Sequence, residues 1–450
     1  MAGVVLANGA NAAESADVSL SIGRHALEIA PNIVIPTTAY NHQVPGPVIR
    51  LRKGKRAVLD VTNNTEISEL AHWHGLHIPS DVDGAEEQGT PPVLPGRTLR
   101  YAFEPKPAGT QWYHTHTMGG ANLSVGTYTG LYGFFIIDDG RDKGLYDQEI
   151  LLSMHHWLPH WESGLHMRPD QPDHGLEVNY RYATMNGRML GHNDPIKVRE
   201  GQRVLFRILN ADATEMSWTA LSGHKMRVIE MDGHPVPTQR DIDVLMLGPG
   251  ERADVVIEMN RPGVWVMGSA VDDSRKKGLG IVVEYEHAKG AAQWIAPKRE
   301  WDYLWFGSAT PAAEPDERFE FIIDKIAGGA TGHNQWTMNG RLWPDIETKR
   351  LVKGRRYRLV FKNATDHGHP MHLHRHSFEV ASYKGVPSSG LLKDVINVMP
   401  GITVELDFVA NNPGPTLLHC HQSKHQEFGL MALLLYEGDA VPAAAHKHHN

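Results

Sequence analysis

The sequence predicts an all-β protein of three consecutive Greek-key sandwich or barrel domains, and two spacings that each recur three times carry that prediction. Gly54 and Asn63, Gly201 and Asn210, and Gly354 and Asn363 are each nine positions apart, with alternating apolar residues between them. Period-two alternation bounded by turn formers is the pattern of a half-buried strand. Pro95-Gly96, Pro249-Gly250 and Pro400-Gly401 each open a second alternating strand, with a glycine thirteen positions further on at Gly109, Gly263 and Gly414. Many short strands separated by Gly and Pro turns favour sandwiches or barrels over helical folds. A chain of 450 residues has room for three domains of about 150 residues each.

Taken in order, residues 1–13 read as a leader: Val4-Val5-Leu6-Ala7 and Ala10-Asn11-Ala12-Ala13 look like the tail of a secretory signal with its small-residue cleavage site. The first domain spans 14–140 and ends at the Asp138-Asp139-Gly140 turn. The second spans 141–290. Its opening crowds His155, His156, His160, His166 and His174 among Trp and Pro residues, which reads as a solvated loop. The third spans 291–450, with a loose Ala/Pro/Glu stretch at Ser308–Glu317 near its start. At its end His446, His448 and His449 read as a flexible tail.

Composition excludes several function classes. A formal net charge of -8 and the lack of any basic run speak against a nucleic-acid partner. No apolar run approaches the roughly 18 residues of a membrane-crossing helix. A single cysteine cannot form an internal disulfide.

Chemistry concentrates in four short clusters: His72-Trp73-His74, His114-Thr115-His116, His369-Pro370-Met371-His372-Leu373-His374, and His419-Cys420-His421 followed by His425. In a strand, residues i and i+2 share a face, so each H-x-H pair aims two imidazoles at one place. Cys420, between two such histidines, faces the other way. One three-residue stretch can therefore touch two metal centres. A thiolate combined with imidazoles favours copper over zinc, which has no use for a cysteine between two histidines that face away from it.

The repeat shows where ligands were kept. Nine and eleven positions past the Asn marker lie His72 and His74 in the first copy and His372 and His374 in the third, but Thr219 and Leu221 in the second. Five and seven past the second glycine lie His114 and His116, then His419 and His421, against Gly268 and Ala270 in the middle copy. Eight histidines from the first and third domains should thus meet at one interdomain site with pseudo-twofold symmetry. Buried polar side chains need partners, and a shared metal site supplies them.

HWHG, HTH, HPMHLH and HCHQSKH in this order, together with Val44-Pro45-Gly46-Pro47, resemble the three-domain multicopper oxidases, the laccase-like enzymes built from cupredoxin-like domains. The resemblance covers nearly the whole chain. It implies four copper ions. A type 1 copper would be held by His369, Cys420 and His425, a type 2 copper by His72 and His372, and a type 3 pair by His74, His114, His116, His374, His419 and His421. Electrons from substrate would pass through Cys420 to the trinuclear cluster, where dioxygen becomes water. The resemblance further implies proton delivery by Asp83, which Asp83-Gly84 also allows to be a turn, and a periplasmic or secreted location.

Two departures from the family pattern stand out. Gln426, with Glu427 beside it, occupies the place of a second acidic residue. Leu430, next to Met431, stands where many bacterial members have an axial methionine, and a leucine cannot ligate. His376 has no assigned ligand role. The sixteen methionines form no Met-rich insert of the kind some copper(I)-oxidising members carry. The implied activity is laccase-type oxidation of phenols or aromatic amines with dioxygen as acceptor. The alternatives are a metal-ion oxidase for Cu(I), Fe(II) or Mn(II), serving copper tolerance or metal homeostasis, and a non-enzymatic copper-binding protein.

Overall fold

Each Gly-to-Asn segment forms the central strand of a sheet, and the same neighbours flank it every time. In the computed structural model, which describes residues 15–159, 164–167, 175–328 and 332–446, these strands are Ala57–Asn63, Arg203–Asn210 and Arg356–Asn363. On one side each runs parallel to the domain's opening strand, Val18–Ala30, Gln148–Trp157 or Glu317–Ile326. On the other it pairs antiparallel with the strand after the Pro-Gly turn, Thr98–Phe103, Arg252–Glu258 or Thr403–Val409.

A second sheet closes each sandwich. In the first domain Ala71–His72, Gly109–Thr115 and Tyr132–Asp138 lie antiparallel, with Ile49–Arg52 added in parallel. The third domain repeats this with His369–Leu373, Thr416–Cys420, Met431–Tyr436 and Lys349–Leu351. The middle domain repeats it with Ser217–Leu221, Val264–Ser269, Gly280–Tyr285 and Ile196–Val198. The register differs in one respect. His72 lies opposite His114, and His372 opposite His419, whereas Thr219 lies opposite Ser269 and not Gly268. The middle copy is offset by one residue, so counting from the glycine marker misplaces its partner.

The two sequence markers recur because they hold each other. Gly96, Gly250 and Gly401 donate their N–H groups to the carbonyls of Asn63, Asn210 and Asn363 at 2.8, 2.9 and 3.1 Å. Each asparagine side chain then clips the turn that follows it. The Asn63 amide donates to the carbonyls of Ile67 (2.7 Å) and Val93 (2.8 Å). That of Asn210 donates to Glu215 and Leu247, both at 2.9 Å, and that of Asn363 to His367 (2.7 Å) and Val398 (2.9 Å). An aspartate at these positions would bring no donor, and leaving buried carbonyls unpaired is costly.

The inward faces of the strands form the cores. Leu59, Val61, Trp73, Tyr101, Phe103 and Phe135 fill the first sandwich, each fully buried side chain contributing roughly 1.5–3 kcal/mol. The second and third domains share one continuous core, bridged by Tyr303 and Phe306 from the segment between them. Ile29, Trp112, Trp157 and Leu209 weld the first domain to the second, and Ala85, Met431 and Leu433 weld it to the third.

Two expectations need correction. His155 and His156 are not on a solvated loop but lie buried on the strand Gln148–Trp157. The His155 Nδ1–H donates to Ala211 O (2.9 Å), and the His156 Nδ1–H to the Asp212 carboxylate (2.7 Å), so partners pay the cost of burial. The expected tail is also corrected at its first histidine: His446 closes the helical turn Ala443–His446, in which Ala445 is buried against Leu435. His160, His174, His448, His449 and the 1–13 leader lie outside the described residues. Among the described residues no helix is long and apolar enough to cross a membrane.

Removing the clip in the domain that carries no ligand motif tests its structural weight. Asn210→Ala strips two buried carbonyls of their donors and is expected to destabilise the protein by about 3 kcal/mol, read as a lowered calorimetric Tm.

Candidate metal centre

The strand ends of the first and third domains bring all eight H-x-H histidines into one buried cleft. His72, His74, His114, His116, His372, His374, His419 and His421 are each at most 5% exposed. They sort into three groups whose nitrogens lie within 4.8 Å of one another: His72 and His372 with His74; His74, His114 and His421; and His116, His374 and His419. Every group draws on both domains.

Hydrogen bonds fix which nitrogen faces inward in six of the rings; the four bonds to backbone carbonyls obey the pseudo-twofold, whereas His74 uses Nε2 and His374 Nδ1. A carbonyl can only accept, so the ring nitrogen beside it carries the proton. The His72 Nδ1–H donates to Asp83 O and the His372 Nδ1–H to Asp394 O, both at 2.8 Å. Likewise the His114 Nδ1–H donates to Thr115 O (2.8 Å) and the His419 Nδ1–H to Cys420 O (2.9 Å). The carboxylates exchange partners across the domains: Asp394 accepts from the His74 Nε2–H at 3.0 Å, and Asp83 from the His374 Nδ1–H at 2.8 Å. His74 stacks on His372 at 3.9 Å and His72 on His374 at 4.1 Å.

This leaves Nε2 of His72, His372 and His421 buried without a protein partner. Burial and mutual repulsion hold His72, His74, His114, His372, His374 and His421 well below the usual imidazole range, and His419 down to about 3. Neutral rings with inward lone pairs form a metal-ligand set. Burial likewise pushes the Asp83 carboxyl up to about 7.

On the opposite face of the same strand, the Cys420 Sγ lies 3.5 Å from His425 Nδ1 and 3.8 Å from His369 Nδ1. The repeat clip reaches this centre: Asn363 Oδ1 accepts from Thr365 Oγ1 (2.8 Å), and Thr365 Oγ1 accepts from the His369 Nε2–H (2.8 Å), turning Nδ1 toward the sulfur. Trp336 packs on His425 at 3.9 Å. The same two positions of the first domain hold Glu69 and Thr115, whose hydroxyl donates to the carboxylate at 2.9 Å. One copy thus carries a thiol–imidazole set where the other carries a carboxylate–hydroxyl pair.

Leu430 is fully buried in the core that contains Cys420, whereas Met431 points into the separate cluster with Ala85 and Leu433. Gln426 and Glu427 line a small cavity with His114, His116 and His421, and Glu427 accepts from the Gly119 N–H at 2.7 Å. His376 joins neither centre and pairs with the Tyr436 hydroxyl at 2.9 Å. Sequence reasoning missed Asp394. It lies twenty-two residues after His372 while Asp83 lies eleven after His72, so equal offsets could not find it.

A cleft of about 320 Å³ opens on His425, lined by Trp336, His333, Phe428, Glu215, Met216 and Asp366 among others. Ring stacking of His333 on Phe428 (4.2 Å) makes one wall flat and aromatic. Met216 is the middle domain's counterpart of His369, six residues past its Asn marker.

Three sandwich domains with a buried imidazole cluster and a thiol–imidazole set define a copper oxidoreductase architecture. Multicopper oxidase family profiles match residues 26–142, 152–286 and 322–439, and the chain belongs to the multicopper oxidase family of copper-dependent oxidoreductases. It is 29% identical to the multicopper oxidase MmcO of Mycobacterium tuberculosis, over 90% of this chain and 84% of that protein. It is 27% identical to Laccase-2 of Fomitopsis schrenkii, over 94% of this chain and 91% of that one. The fold matches Fet3p, a multicopper oxidase that functions in iron import, with a TM-score of 0.78 at 22% identity, covering 93% of this chain and 90% of that one.

The position of Leu430 generates a measurable expectation. Leu430→Met places a thioether beside the Cys420 centre and is expected to lower its copper potential, since the axial group tunes such sites. A redox titration of the copper-loaded variant beside the wild type checks it.

Proposed function

We propose that the chain is a laccase-type oxidase of phenols and aromatic amines with dioxygen as acceptor. The observation that carries this reading is the aromatic cleft that ends on His425, one bonded neighbourhood away from Cys420. Trp336 and the His333–Phe428 stack line this cleft and offer aromatic faces to a flat ring, and Glu215 supplies an acceptor for a phenol O–H or an amine N–H.

His369, Cys420 and His425 would hold a type 1 copper, and Leu430, packed in the same core as Cys420, brings no ligating atom. His72 and His372 would hold the type 2 copper. His74, His114 and His421 would hold one type 3 copper, and His116, His374 and His419 the other, four ions in all. Bound there, copper supplies one-electron oxidation of substrate and four-electron reduction of dioxygen to water. Cys420 is the electron link, because its peptide neighbours His419 and His421 belong to the other centre. The Asp83 carboxyl, which burial raises to about 7, lies beside His72 and His374, where it can take up and deliver a proton for dioxygen reduction.

Specific features also favour a second reading, oxidation of a metal ion. Glu177, Glu215, Asp366 and the thioether of Met216 line the same cleft, and oxygen and soft sulfur donors suit Fe(II) or Cu(I). Among the relatives are both laccases and an iron transport multicopper oxidase.

Steady-state rates on a substituted phenol, Fe(II) and Cu(I) separate the readings; phenol turnover far below that on a metal ion would overturn the first. Cys420→Ser is expected to remove the blue absorbance and turnover while the fold persists. Asp83→Asn is expected to slow reoxidation by dioxygen by roughly 10²-fold or more while reduction of the blue centre by substrate stays fast, as rapid mixing resolves.

A further inference from the structure

We infer that the middle domain, which lends the trinuclear cluster no histidine, positions it: the turn Pro249-Gly250-Glu251-Arg252 organises the cluster ligands, with Arg252 acting through Asp394. The inference rests on the ligand assignment proposed above.

Two residues of the turn reach the cluster. Gly250 has φ of 87°, and a Cβ there would lie 2.8 Å from His421 Cδ2, so only glycine lets the turn seat against that ring. Arg252 is fully buried and grips Asp394 through both prongs of its guanidinium, Nη1 to Oδ1 at 2.6 Å and Nη2 to Oδ2 at 2.7 Å. Its Nε–H donates to Thr110 O at 3.2 Å, and Nη2 also donates to the Gln111 side chain. Gly75 of the HWHG motif keeps the space clear, since a Cβ there would lie 2.7 Å from Arg252 Nη2 and 2.8 Å from Asp394 Oδ2.

Asp394 passes this fixation to two ligands. Its carboxylate accepts from the His74 Nε2–H and its carbonyl from the His372 Nδ1–H. The backbone around it is held as well: the N–H groups of Asp394 (3.2 Å) and Val395 (3.1 Å) donate to Asp232 Oδ2, and Asp232 Oδ1 accepts from the Arg252 N–H at 2.9 Å. Lys393 bridges Asp232 (2.9 Å) and Glu251 (3.0 Å). Thus the segment carrying Asp394 is fastened to the middle domain along its length.

The pseudo-twofold sharpens the argument. Asp83, the counterpart of Asp394, takes side-chain hydrogen bonds from Gln88 of its own domain (2.6 Å) and from His374 of the third domain (2.8 Å). Of the two carboxylates, Asp394 is the one that a guanidinium of the middle domain grips. Buried ion pairs add little net stability, because apolar residues of similar volume serve as well or better. What a bidentate guanidinium–carboxylate pair does supply is direction. Partners one shell out from a metal orient its ligands, and their loss typically costs 10- to 100-fold in metal affinity.

The test uses the full-length, copper-loaded protein and the variants Arg252→Lys and Arg252→Gln. Each is titrated with a copper chelator while blue absorbance, total copper per chain and the paramagnetic resonance of the non-blue copper are followed. Blue absorbance is expected to resist chelation as in the wild type. The chelator concentration that strips half of the non-blue copper should fall roughly 10- to 100-fold, with altered hyperfine splitting of the non-blue signal. A merely structural role would weaken both centres together. Wild-type retention of non-blue copper in both variants, or parallel loss of blue and non-blue copper from a variant whose copper-free melting is unchanged, overturns the inference. Should Arg252→Gln fail to fold, Arg252→Lys, which keeps the charge and loses the fork, decides by the same readouts. A wild type that binds only blue copper overturns the cluster assignment itself.

Discussion

Eight imidazoles facing one another in a buried interdomain cleft are the constraint to which the rest of the structure answers. Packed so closely, they cannot be protonated together, and burial first and mutual repulsion second drive most of them far below their usual range. Neutral rings still need their outer nitrogens satisfied. The structure meets this with backbone carbonyls at His72, His114, His372 and His419 and with two carboxylates at His74 and His374. Each such bond also decides which lone pair faces inward.

That demand explains the exchange of carboxylates between domains. Asp83 accepts through its carbonyl within its own domain and through its carboxylate from the third domain, and Asp394 likewise accepts through its carbonyl within the third domain and through its carboxylate from the first. Neither half-site is complete alone. The apolar contact of Ala85 with Met431 and Leu433 holds the two domains in this register, and assigns Met431 to packing.

Triplication gave one scaffold three fates. The position six residues past the Asn marker holds Glu69, Met216 and His369 in the three copies. In the third domain it is a candidate ligand, in the first a buried hydrogen-bond acceptor, and in the middle a lining residue of the cleft on His425. The asparagine clip stayed the same in all three, because the sandwich cannot close its turn without those donors. Function diverged on side chains that hang from an unchanged backbone frame.

The three-domain β architecture and the ligand motifs were legible in the sequence, since both depend on short-range regularities. Gly, Asn and Pro-Gly spacings mark turns whose geometry is local, and H-x-H marks two side chains on one strand face whatever surrounds it. Alternation likewise announced that Cys420 turns away from His419 and His421. Other features had no local signal. His155 and His156 looked like loop residues because their partners, Ala211 and Asp212, come from a distant turn. The one-residue offset of the middle copy shows only in strand pairing. The division of six histidines into two triads joins residues of the first and third domains, and the grip of Arg252 on Asp394 and the pairing of Asp394 with His74 join residues 142 and 320 positions apart. Sequence alone determined which side chains face together along each strand. Only the tertiary structure decided which strands meet, because a buried hydrogen bond or ion pair between domains depends on three-dimensional closure and leaves no periodicity in the chain.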